Sequence, residues 1–236
     1  MTNLGSGGTT YNAALINNAL ISTSDKVVGT GSLQLSAASS QYVTIPTFDS
    51  GGSGLSFAFW FKFINSASSS RIFDFGNGPN QYNVGFALVT TGGPDIYLIT
   101  GSSNAVEAYG SQGYLNVNDG VWRHAVMTFD TSGNLILYIN GQIYCVYTTA
   151  TYPPGAFRSS NFLGKSNFNI DPYLNGAVDE FYLWDGVITP AEAKAIYLPG
   201  KILCHIASDD SLSYSMHINS ANAVVRKHTC GHASIS

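Results

Sequence analysis

The stretch "LSFAFWFKFIN", residues 55 to 65, places phenylalanine at every second position: Phe57, Phe59, Phe61 and Phe63. Successive side chains of a β-strand point to opposite faces, so the four rings share one face while Ser56, Ala58, Trp60 and Lys62 share the other. A sheet that is buried on one face and partly covered on the other reads this way. The strand therefore sets the frame for the remaining chain.

The rest of the sequence follows the same period. "SLQLSAASSQYVTIP" gives two alternating runs, Leu33/Leu35 and Tyr42/Val43/Ile45, with a polar turn between them and Pro46 as a stop. "RIFDFGNG", "YNVGFALVT" and "DIYLIT" are further strands between Gly/Pro/Asn turns. "WRHAVMTFD" and "LILYINGQIYCVY" form a meander with turns at Ser132-Gly133-Asn134 and Asn140-Gly141, the latter a strong hairpin signal. "RSSNFLGKS" and "GAVDEFYLWDG" add two more strands. One helix is predicted at "TPAEAKAIYL", near 190–197, with Thr189 as cap, Pro190 in first position and Glu192 closing a capping box. Short strands at steady spacing predict an all-β, two-sheet antiparallel jelly-roll sandwich.

Composition narrows the function. Only 10% of the 236 residues are charged, the net charge is −4, and no basic run is present, which argues against a nucleic-acid partner. No apolar stretch reaches the roughly 18 residues of a membrane span, so no membrane insertion is expected. The N-terminal residues carry no recognisable secretory signal, yet a low-charge chain rich in Tyr, Asn and Thr suits the outside of a cell or particle. Three regions are expected: a Gly/Ser/Asn-rich arm over 1–30, the jelly roll over 31–198, and a tail over 199–236. That tail holds Cys204, Cys230 and four of the five histidines.

In order, "SLQLSAASSQYVTIP", "LSFAFWFKF", "RIFDFGNG", "DGVWRHAVMTFD", "TSGNLILYINGQ" and "FLGKSNFNIDPYLNGAVDEFYLWDGVITPAEAKAIY" resemble a laminin-G-like domain of the concanavalin A-like lectin/glucanase superfamily. The resemblance covers about residues 30–198 and is carried by Trp122-Arg123-His124, the Asn140-Gly141 hairpin and the strand from Gly176 to Trp184. It implies binding of sugars, glycoproteins or other proteins, although the superfamily also contains true glucanases.

Asp179 and Glu180 are adjacent, and strand alternation would send them to opposite faces, whereas glycosidase carboxylates must share one. One is expected to be a structural acceptor and the other solvated, so no catalytic residue is assigned and the protein is not expected to be an enzyme. His124 is expected in the core, since no Gly-x-Ser-x-Gly nucleophile accompanies it. The resemblance implies a calcium site at the sandwich rim. Here Asn80 and Gln81 stand where an acid is sought, and Asp171 supplies one carboxylate, enough for a weak site. Sugar-binding candidates are Asn80, Tyr82, Asn83, Tyr152, Asn167, Asn169, Asp171 and Tyr173, although turn formation explains the Asn and Asp equally well. In the tail, Cys204 and Cys230 form a disulfide, or bind zinc with His205, His217, His228 and His232, or remain free thiols. The expected function is non-catalytic recognition of a glycan or glycosylated surface. The alternative is a structural subunit of a fibre, coat or virion surface that assembles as a homo-oligomer through its terminal arms.

Overall fold

The structure, a computed structural model, describes residues 13–50, 52–99, 105–109, 115–148, 155–197, 213–219 and 222–228. In chain order the first strands are β1 (Ala14–Ile16), β2 (Leu20–Ser22), β3 (Ser32–Leu35), β4 (Tyr42–Ile45), β5 (Phe48–Ser50) and β6 (Leu55–Phe63). Then come β7 (Arg71–Gly76), β8 (Val84–Leu88), β9 (Pro94–Ile99), β10 (Ala105–Tyr109), β11 (Arg123–Phe129) and β12 (Leu135–Ile139). They are followed by β13 (Gln142–Tyr147), β14 (Ala156–Arg158), β15 (Ser160–Leu163) and β16 (Gly176–Trp184). Helix α1 (Pro190–Tyr197) and the hairpin β17 (Ser213–Asn219) and β18 (Asn222–His228) complete the chain order.

Two large antiparallel sheets face each other. One has seven strands in the order β1-β4-β15-β7-β8-β9-β10. The other has nine: β13-β12-β11-β6-β16-β17-β18 along one path, with β3 also on β16 and β2 on β3. The short pair β14-β5 stands apart from both. β6 sits centrally between β11 and β16, and its four phenylalanines are fully buried, as their alternation demands. Phe57 stacks on Phe73 of the opposite sheet at 4.8 Å between ring centroids, and Phe59 lies 5.1 Å from Phe86. Each such ring contributes on the order of 2 kcal/mol by leaving water, so this aromatic interleaf holds the two layers together.

The outer face of the nine-stranded sheet is covered in two ways. Ile188, just before helix α1, and Ala193 and Ile196 of the helix pack over Ala58, Val126 and Tyr138. The helix start is the reciprocal cap read from the sequence: the Thr189 N–H donates to Glu192 Oε2 at 2.6 Å, and the Glu192 N–H to Thr189 Oγ1 at 3.3 Å. The other cover is the chain before β3. Within the stretch read as an arm, β1 pairs with β4 and β2 with β3, so one sheet takes each. Asp25 then meets Lys62 and Trp122 on the outer face, with the indole N–H 2.9 Å from Oδ1.

Candidate functional site

On β7, Phe73 and Phe75 enter the core, which turns Asp74 to the outer face of the seven-stranded sheet. There the loop 164–175 folds back over the strand and buries Asp74 completely. Oδ1 of Asp74 accepts from Asn83 Nδ2 and Asn167 Nδ2, each at 2.9 Å, and Oδ2 accepts from the Asn167 backbone N–H at 2.9 Å. The Ser166 hydroxyl donates to Asp171 Oδ2 at 2.7 Å, and Arg71 Nη2 reaches the same oxygen at 3.0 Å. Polar oxygens buried this deep need such a set of donors.

Of the predicted sugar ligands, the structure thus brings Asn83, Asn167 and Asp171 together, but aimed inward at Asp74, Arg71 and Ser166. Their hydrogen-bonding capacity holds the loop on the sheet. Asn169 is exposed at the loop tip beside Ile170, which is 92% exposed. Asn80 is exposed, and both it (φ 60°) and Tyr82 (φ 56°) adopt turn conformations. The Tyr82 carbonyl accepts from Nε of the fully buried Arg158 at 3.1 Å. Tyr152 lies outside the described residues, as do Cys204, Cys230, His205 and His232. His217 and His228 fall on the backbone of β17 and β18.

Tyr173 has a different setting. Val43 and Ile45 point into the core, so Tyr42 on β4 faces outward, and the same alternation turns Phe162 out on β15 while Leu163 goes in. Thr44 pairs with Phe162, which sets Tyr42 and Phe162 side by side at 5.8 Å between centroids. Tyr173 joins them 5.9 Å from Tyr42. Lys165 lays its ammonium over both rings, 4.9 Å from the Tyr42 centroid and 4.5 Å from that of Phe162. The four side chains make a half-buried aromatic platform with a cation on it. Tyr42, Phe162 and Lys165 were not among the predicted ligands. Their outward strand positions were the available signal.

The carboxylate pair on β16 departs from expectation. Asp179 pairs with Trp60 and Tyr182 with Ala58, leaving Glu180 and Phe181 opposite a single residue of β6. This is a β-bulge, and Glu180 takes a left-handed conformation (φ 48°) within it. The bulge breaks the alternation that was expected to separate the pair. Asp179 accepts the backbone N–H groups of Val27 (2.8 Å), Val28 (3.1 Å) and Glu180 (3.0 Å). Burial pushes its carboxyl up to about 6, against the pull of those donors, and the Glu180 charge adds to the rise. Glu180 is not solvated as expected: it is 8% exposed and accepts the Tyr182 hydroxyl at 2.6 Å. Asp179 is therefore built into the seam between β16 and the segment before β3, while Glu180 is held within β16 by Tyr182.

His124 lies where the sequence put it, 2% exposed, with its ring 5.1 Å from that of Trp60. Burial drives its pKa down to about 3, which keeps the imidazole neutral. Cys145 is a buried free thiol, pushed up to about 11 by burial. Among the described residues no cluster of three or more His, Cys, Asp or Glu side chains could hold a metal ion. Asp171, the one carboxylate expected for calcium, has an arginine and a hydroxyl donor on Oδ2, and these donors do not fit a calcium ligand set.

A laminin G family model, described as the concanavalin A-like lectin/glucanases superfamily, matches residues 37–194. The chain belongs to this superfamily. The laminin-G-type domain is 26% identical over 187 residues to an adhesion G-protein coupled receptor D1 of Homo sapiens, a match that covers 74% of this chain. It spans about a fifth of that relative's length, 20%. Among solved structures it is similar to domain 4 of AbnA, an extracellular arabinanase of Geobacillus stearothermophilus, in complex with arabinotriose. That match has a TM-score of 0.64 and 21% identity, over 83% of this chain and 93% of the other. It is also similar to the binding domain of botulinum neurotoxin DC in complex with SialylT (TM-score 0.57, 13% identity, 79% of this chain and 46% of the other). At these identities the structural matches show a shared jelly-roll fold. No helix among the described residues is long and apolar enough to cross a membrane.

Proposed function

We propose that this laminin-G-type domain is a non-catalytic module that binds carbohydrate, or a glycosylated surface, outside the cell. The observation that carries the reading is the outward platform of Tyr42, Phe162 and Tyr173, the last on the loop whose tip, Asn169–Ile170, is exposed. Aromatic faces next to a few polar groups are what sugar rings stack upon. Similar folds captured with arabinotriose and with SialylT support the same reading. The absence of an enzymatic role is supported by the chemistry of Asp179 and Glu180, whose oxygens serve the chain's own donors.

A glycan microarray probed with the purified chain tests this. We expect retention of a defined set of glycans, and a Tyr42→Ala/Tyr173→Ala variant with unchanged circular dichroism to bind them roughly tenfold to a hundredfold more weakly. No retained glycan, or equal binding by the variant, would contradict the proposal.

A further inference from the structure

We infer that the platform selects a sugar bearing a negative charge, and that Lys165 is the residue that selects it. This rests on the glycan reading above and deepens it. A bare aromatic platform would accept a neutral pyranose. This one has its own cation lying over two of its three rings, 4.9 Å and 4.5 Å from the centroids. A neutral sugar must push that ammonium aside and lose the cation–π contact before it can stack. An anionic sugar keeps the contact and adds a charge-assisted hydrogen bond to the same nitrogen.

The ammonium is open to such a ligand. Among the described residues no carboxylate lies within 4.0 Å of the Lys165 nitrogen. The carboxylates built into the same loop are already committed: Asp171 to Arg71 and Ser166, and Asp74 to Asn83 and Asn167. Lys165 follows Gly164, whose positive φ (79°) and close approach to Leu35 set the direction in which the loop leaves β15. The cation is placed by this tight turn rather than carried on a loose tip.

The test uses matched trisaccharides of galactose and of glucose, each in neutral, uronate and 6-sulfate form, titrated calorimetrically into the full chain. The variants are Lys165→Gln and Lys165→Arg. We expect the uronate or the sulfate to bind roughly tenfold tighter than its neutral partner; which of the two wins identifies the anionic group. Lys165→Gln should erase that preference, the charged sugar then binding no tighter than its neutral partner, while Lys165→Arg should keep it. If the neutral sugars bind as tightly, and that binding depends on Tyr42, the charge inference fails and the glycan reading stands. If Lys165→Gln leaves the preference intact, the anion is read elsewhere and the inference fails. Binding of none of the six would overturn both.

Discussion

Asn167 donates twice to Asp74, from its side chain to Oδ1 and from its backbone to Oδ2, each at 2.9 Å, and so ties the loop 164–175 across the outer face of β7. Asn83 meets Oδ1 from the other side at the same distance, so loops far apart in sequence share one buried acceptor. The strap in turn positions Tyr173 and Lys165 against Tyr42.

Removing that acceptor should cost more than an average core change. Asp74→Ala leaves three donor groups of Asn83 and Asn167 buried without their partner, and each carries a penalty of about 1–3 kcal/mol. We expect a loss of at least about 3 kcal/mol in urea unfolding. A loss near zero would mean that water replaces the carboxylate.

Two buried titratable groups on the outer face of the nine-stranded sheet, His124 and Asp179, act in opposite directions with pH. His124 has a folded pKa of about 3, below its ordinary 6.5. Its contribution is therefore present above pH 6.5 and is lost as pH falls toward 3, amounting to about 3 kcal/mol by pH 4.5. Asp179 has a folded pKa of about 6, above its ordinary 3.8. Its contribution is present below 3.8 and lost as pH rises through 6, so acidification favours the fold at this site. Between pH 6 and 4 the two largely offset. The prediction is that His124→Gln makes stability climb relative to the native chain as pH falls from 6.5 to 4.5, while Asp179→Asn makes it drop. Thermal melts across that range read both slopes, and parallel profiles for all three proteins would contradict the assignment.

Calcium should not stabilise the fold through Asp171. Its Oδ2 is occupied by Arg71 and Ser166. A ligand that binds only the native state raises its melting temperature, so millimolar calcium or chelator should leave Tm unchanged. An upward shift with calcium that vanishes in Asp171→Asn would restore the calcium site expected from the sequence.

Much of the fold was legible because its signals are local. The period of Phe57 to Phe63 assigned the core strand, Asn140-Gly141 marked a two-residue hairpin whose φ angles of 50° and 75° are both positive, and Thr189 with Glu192 marked the helix start. The candidate site was legible only in part. Alternation misplaced Glu180 because a bulge inserts one residue there, and a bulge leaves no distinct mark in sequence. Asn83, Asn167 and Asp171 were read as sugar ligands, and their side chains meet Asp74, Arg71 and Ser166 instead. Whether such groups face a ligand or each other depends on a partner, Asp74, that sat unmarked between two core phenylalanines. Tyr42 and Phe162 were missed as a pair because strand pairing across more than a hundred residues is what makes them neighbours.

The most direct test of the central claim is a heteronuclear NMR titration of the isotope-labelled chain with the glycan best retained on the array. The account predicts shift changes gathered at Tyr42, Phe162, Lys165, Asn169, Ile170 and Tyr173. Changes centred instead on the Asn80–Tyr82 turn, with the platform unmoved, would contradict it.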